Sequence, residues 1–337
     1  MRKEVHEAMK TSKTGDSSSM PKVSLTDMED AVRKSGYLLE RRVATFLRKE
    51  AYKAVANRGF MDQETTKSRE YDVYAYKGIE VCGTGSCGLY PTLVCECKNN
   101  TQPIVFFIQK ETFEPLIDEV RVSGIPSKIW KRNKYISVQE FTNVATVHHY
   151  CIPEAPVATQ YCTFETKKNT SNWMASHTDE LHDTFRTLTK ALEQEIDDDY
   201  RNMAQWFIPE EIAKEFVDLS VYYPVVVFQG DIYAASIGNK DLTEEEGLEL
   251  KPCDHIQYNP EFFSFYDNEV ISYHMDIVSE KYLPSYLKII DREMHAIKQI
   301  MEQEKSSVTD SINRIVAECI GLKDKPRTYR KHLEYEF

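Results

Sequence analysis

No apolar run in this 337-residue chain approaches the roughly 18 residues that a membrane-spanning helix needs. The first residues, Met1-Arg-Lys-Glu-Val-His-Glu7, lack the apolar stretch of a secretory signal. A basic balance is missing too. Lys and Arg total 42 against 54 Asp and Glu, a formal charge of -12. That argues against a general nucleic-acid coating protein, yet leaves room for a nuclease with a locally basic face. Paired C-x-x-C knuckles are absent among the eight cysteines. Without an export signal, reduced thiols are expected rather than a disulfide framework. No internal repeat is visible. The expectation is a soluble, cytoplasmic protein with no membrane partner. Its length suggests about two domains, or one large domain with insertions.

What is present divides the chain. Residues 1–23 read as a disordered tail, because Thr11 to Ser19 is a polar tract. Thr26 and Glu29 have the spacing of a capping box, opening a short helix to about Lys34. A second helix is expected from Tyr37 to about Val55. Leu39, Val43, Phe46 and Leu47 form its apolar stripe. Strands are expected at about Val55–Asp62, Arg69–Tyr76, Thr92–Lys98 and Pro103–Gln109, where β-branched and aromatic residues dominate. Residues 24–150 thus read as an α/β (α+β) core. The region 151–337 reads as helices and β-hairpins, either a second domain or an elaboration of the core. Ser137–His149 is expected as one helix, and Thr178–Met203 as a longer one. A short helix is expected to open at Pro209, and others at about Lys281–Glu302 and Ser307–Cys319. Val221–Phe228 and Ile232–Ile237 are expected to form a hairpin around Gly230-Asp231.

Three charges sit where strand packing would favour apolar groups. Asp72 lies in Ser68-Arg-Glu-Tyr-Asp-Val-Tyr-Ala-Tyr76, and Glu96 and Lys98 lie in Thr92-Leu-Val-Cys-Glu-Cys-Lys98. Alternate strand residues share a face, so Glu96 and Lys98 turn one way and Cys95 and Cys97 the other. If Asp72 lies near Glu96, two carboxylates converge and repel. A divalent ion relieves that repulsion. Carboxylate and water oxygens select magnesium or manganese. Such an ion activates water beside a phosphodiester, and a lysine at Lys98 assists.

These residues resemble the PD-(D/E)xK, or restriction-endonuclease-like, nuclease superfamily. The likeness runs from Gly36-Tyr-Leu-Leu-Glu-Arg-Arg-Val through Ser68-Arg-Glu-Tyr-Asp-Val to Val94-Cys-Glu-Cys-Lys-Asn99. It implies a mixed central sheet flanked by helices. It implies that Asp72 and Glu96 bind the metal, with the Cys97 carbonyl nearby. It implies Lys98 as catalytic lysine and suggests Glu40 as an accessory acid. The implied activity is cleavage of DNA to 5′-phosphate and 3′-hydroxyl ends, in repair or defence, by an endonuclease that can act as a homodimer. Two features depart from the pattern: Tyr71 precedes Asp72 where the superfamily often has proline, and Lys77–Pro91 is a long insertion. The alternatives are a non-catalytic interaction protein on the same fold and an RNA-directed nuclease.

Arg41 and Arg42 on the second helix, Arg69 beside the Asp strand, and Lys131 and Arg132 next to Trp130 are the candidate phosphate contacts. Gly83-Thr-Gly-Ser-Cys-Gly88 fits G-x-G-x-x-G, but it leads into a strand and reads as a loop. Cys82, Cys87, Cys95 and Cys97 are spaced unlike a structural zinc site. His148 and His149 would diverge as neighbours on a helix, so they are not expected to form a ligand pair. The run Asp197-Asp-Asp199 reads as a solvated helix end.

Overall fold

Two amphipathic helices lead into the first strands. Helix α1 (Leu25–Lys34) is capped by Ser24, whose Oγ accepts the Asp27 amide at 3.1 Å. The cap thus falls two residues before the expected Thr26. Helix α2 (Tyr37–Lys49) buries Leu39, Val43, Ala44 and Leu47. It ends before Val55 because Ala51, at φ 67°, turns the chain and Lys53 already begins a strand.

The computed structural model describes residues 22–81, 87–100, 102–108, 120–124, 128–166, 172–206, 217–237, 247–264, 267–308, 310, 311 and 314. The expected tail up to residue 21, the glycine-rich segment 83–86, the Pro209 helix and most of the last expected helix lie outside them. The early strands are β1 (Lys53–Asp62), β2 (Lys67–Tyr76), β3 (Ile79–Val81), β4 (Cys87–Asn99), β5 (Ile104–Ile108), β6 (Val122–Gly124), β7 (Lys128–Lys131) and β8 (Lys134–Ser137). Short helices α3 (Val138–Thr142) and α4 (Val144–Val147) follow, then β9 (Val157–Thr166), β10 (Trp173–Ser176) and the long helix α5 (Asp179–Trp206). The later strands are β11 (Val217–Gln229), β12 (Ile232–Ile237), β13 (Leu248–Cys253), β14 (His255–Tyr258), β15 (Glu261–Ser264), β16 (Glu269–Ser272) and β17 (Met275–Ser279), before helix α6 (Leu283–Gln303).

The architecture is mixed α/β, with a large mixed central sheet flanked by helices. Its main path runs β1-β2-β4-β11-β17-β14-β9-β5-β12-β13. Strand alternation sends two apolar sets to opposite faces. Val73, Ala75, Cys95 and Val225 pack with α2 and α6, while Val94, Tyr222 and Val226 pack with α5. Fully burying a Leu or Val side chain is worth about 1.5–3 kcal/mol, so the Leu39–Val43–Leu47 stripe fixes α2 firmly on the sheet.

Two expectations fail here. Ser137–His149 is not one helix: Asn143, at φ 54°, breaks it into α3 and α4. Nor do β11 and β12 form a hairpin. β11 lies between β4 and β17, parallel to both. β12 runs parallel to β5. After β4 and β11 end, the same two stretches of chain bend together and resume parallel pairing as β5 and β12. The Asn100 amide donates to the Gln229 carbonyl at 3.1 Å and the Ile104 amide to the Asp231 carbonyl at 3.0 Å. Gly230 is required at this bend, since a Cβ there would stand 2.7 Å from the Asn100 carbonyl oxygen.

Candidate functional site

β2 and β4 pair from Tyr76–Thr92 to Val73–Cys95. Beyond that point β2 continues with β1 as far as Lys67, and β4 with β11 as far as Asn99. The strands therefore part, and the next residue on each is acidic: Asp72 on one and Glu96 on the other. Within this fork the Cys97 amide donates to Asp72 Oδ2 at 2.7 Å. The carboxylate thus satisfies a backbone donor that the diverging strand leaves unmatched.

The other expected members come to the same place. Lys98 Nζ lies 3.7 Å from Glu96 Oε2. Gly36 precedes α2, and a Cβ built there would lie 3.4 Å from Glu40 Oε1 and 3.9 Å from the Cys97 carbonyl oxygen. Both groups thus border Gly36, and Glu40 is close enough to Asp72 and Lys98 to feel both charges. Cys95 and Cys97 turn into the opposite core as buried free thiols.

Charge crowding is the main electrostatic feature. Glu96 is 5% exposed, and burial followed by the Asp72 charge raises its pKa to about 8, against the pull of Lys98. Burial also raises Asp72, opposed by the Cys97 amide and Lys98. Glu40 is raised by burial and then by Asp72. Three carboxyl groups near one lysine cannot all ionise cheaply without a further cation. Among the described residues these three carboxyl groups are not gathered within 4.8 Å of one another; their oxygens and the Cys97 carbonyl are hard donors, of the kind that suits magnesium or manganese better than zinc.

The expected phosphate contacts are more dispersed. Arg42 makes a bidentate pair with Glu280 at 2.5 and 2.9 Å and also donates to Gln229. Arg69 pairs with the buried Asp62 at 2.6 Å, and Lys131 with Glu304 at 2.9 Å. Arg132 is exposed in the β7–β8 turn at φ 50°. Arg41 makes no ion pair with a described residue and is exposed on α2. With Leu38, Arg42, Thr45, Phe46 and Lys49 it lines a groove along α2. Trp130 packs on Tyr135 at 4.9 Å and under Arg314 at 4.3 Å, so its ring is occupied. Asp199 is not a solvated helix end: it lies within α5 and accepts from Ser123 and Tyr222.

One cluster escapes the motif reading. His148 and His149 lie after α4, with their rings stacked at 4.7 Å and 15°. The expectation that they diverge fails because His148 is the helix cap, in extended conformation. His149 bonds Glu293 through Nδ1 at 2.7 Å and Asp276 through Nε2 at 2.9 Å. Its partners lie more than a hundred residues away, so local spacing held no signal for them. The visible hint was an acidic residue, Asp276, within the apolar strand Met275–Ser279.

No family model, curated protein or solved structure matches the chain. Among the described residues no helix is long and apolar enough to cross a membrane.

Proposed function

We propose that this chain is a metal-dependent nuclease of restriction-endonuclease-like fold, hydrolysing DNA phosphodiester bonds. The observation that carries the reading is the strand fork. It gathers Asp72, Glu96, the Cys97 backbone, Lys98 and, from α2, Glu40. A helix, an Asp strand and a Glu-x-Lys strand meeting in a mixed sheet support the same superfamily that the motif suggests.

Asp72, Glu96 and the Cys97 carbonyl are the groups that would hold magnesium or manganese. Such an ion, when bound, supplies Lewis acidity and lowers the pKa of a bound water. Asp72 is itself positioned by the Cys97 amide, so its free oxygen has a fixed direction. Lys98 brings positive charge to the edge of the acidic set, where it can orient the attacking water and offset charge building on the phosphate. Glu40 completes the acidic set from α2 and can hold a proton at its carboxylate. Arg41 and Lys49 on the α2 groove offer phosphate contacts. Products with 5′-phosphate and 3′-hydroxyl ends are expected. Cutting both strands symmetrically would take two copies of the site. DNA repair and defence against foreign DNA are settings in which such an activity is used.

The test is cleavage of supercoiled, linear and single-stranded DNA, and of RNA, with magnesium, manganese or chelator. Metal-dependent DNA cleavage is expected, with a loss of roughly 100-fold or more in Lys98→Ala and Asp72→Asn. Cleavage of RNA alone would move the reading to a ribonuclease. No cleavage of any substrate would favour an interaction protein.

A further inference from the structure

A second ionisable cluster lies two strands away from the acidic fork, on the sheet face covered by α6. It draws His148 and His149 from the segment after α4, Glu293 from α6 and Asp276 from β17, all with fully buried side chains. The nuclease reading does not use it. Potential ligand atoms of His148, His149 and Glu293 lie within 4.8 Å of one another. Bonds of about 2.0–2.2 Å set ligand atoms on a tetrahedral zinc roughly 3.3 Å apart, so the 2.7 Å contact of His149 with Glu293 would open and the 3.8 Å contact of His148 would close.

The surroundings are built like the outer shell of a metal site. Asp276 Oδ2 holds His149 Nε2 at 2.9 Å, as carboxylates hold the outer nitrogen of a metal-bound imidazole. Asp276 is itself fixed by His255 Nε2 at 2.6 Å, Tyr286 at 2.7 Å and Tyr150 at 2.9 Å. Tyr223 donates to Glu293 Oε2 at 2.8 Å. His148 Nε2 is buried without a hydrogen-bond partner and stands 3.8 Å from the same oxygen.

Charge points the same way. Imidazoles are the only cationic partners of these two buried carboxylates among the described residues: His149 touches both, and His255 touches Asp276 alone. Among the described residues, neither Asp276 nor Glu293 is bonded to a lysine or arginine. Glu293 has only the two histidines of the cluster beside it, and a divalent ion could take the place of the proton between it and His149. Imidazole nitrogens with one carboxylate favour zinc over magnesium.

We propose that His148, His149 and Glu293, the last through both carboxylate oxygens, form a buried zinc site, with Asp276 orienting His149. Binding releases the proton shared by His149 Nδ1 and the Glu293 carboxylate. It also places the His148 proton on Nδ1, so the 3.1 Å contact from the Tyr150 amide to that atom is given up. The ion would tie the segment after α4 to α6.

The full chain, dialysed after expression with zinc, should retain about one zinc by elemental analysis. It should do so equally in Asp72→Asn, which weakens the acidic fork, so the two sites are told apart. His148→Gln should lose the ion. Cobalt exchanged into the stripped protein should give a visible band that this variant lacks. Absence of retained zinc and of a cobalt band in folded wild type would overturn the proposal and leave a proton-held ion network. Should His148→Gln not fold, stripped wild type decides: a melting temperature unchanged by added zinc would overturn it.

Discussion

Replacing Glu96 by Gln should stabilise the metal-free protein while removing its response to magnesium. Burial and Asp72 raise Glu96 from 4.5 to about 8. The fold therefore holds a proton that the unfolded chain releases. Stability from this group is fully present below about pH 4.5 and is lost as pH rises through about 8. At pH 7, with about 1.4 kcal/mol for each pH unit and part of the repulsion shared with Asp72 and Glu40, the cost is roughly 2–3 kcal/mol. Glutamine has nearly the same shape, cannot ionise, and can still offer a carbonyl to Lys98. Urea unfolding of both proteins at pH 7 should show the variant more stable by that amount without metal. At pH 5 the gap should shrink below about 1 kcal/mol. Magnesium should raise wild type towards the variant and leave the variant unmoved. A variant no more stable than wild type at pH 7, or a gap that persists at pH 5, would refute the reasoning.

Other perturbations have distinct expected sizes. Asp276→Ala leaves His149 and His255 without their buried acceptor and should cost roughly 3–5 kcal/mol by urea unfolding. Gly230→Ala puts a Cβ 2.7 Å from the Asn100 carbonyl, so a loss of about 1–3 kcal/mol is expected, read as a lower melting temperature. Arg42→Ala breaks a partly exposed pair with Glu280 and an exposed hydrogen bond to Gln229, and chemical unfolding should show less than about 1 kcal/mol.

The parts legible in the sequence are those set by local periodicity. The Leu39–Val43–Leu47 stripe announces α2, and the β-branched and aromatic content of Arg69–Tyr76 and Thr92–Lys98 announces β2 and β4. The short motif then names Asp72, Glu96 and Lys98, and the strand fork brings them together. The parts that are not legible depend on distant pairing. Gly230-Asp231 has the residues of a hairpin turn, yet β11 already has parallel partners on both sides. The run Val221-Tyr-Tyr-Pro-Val-Val-Val-Phe228 has the unbroken apolar character of a strand buried on both faces, which argues against a solvent-facing hairpin. As helix neighbours His148 and His149 would diverge, but the left-handed Asn143 and the end of α4 free them to stack. Arg42 and Arg69 look available for phosphate in the sequence. Glu280 and Asp62, which take them up, are visible only in the fold.

The most direct measurement is single-turnover cleavage of DNA with manganese by wild type and Lys98→Ala, each shown by titration to bind the ion. Lys98 lies beside the proposed metal ligands and is not itself one. The expected result is retained manganese binding with cleavage reduced roughly 100-fold or more. Cleavage by Lys98→Ala at the wild-type rate would contradict the assignment of the fork as the catalytic site.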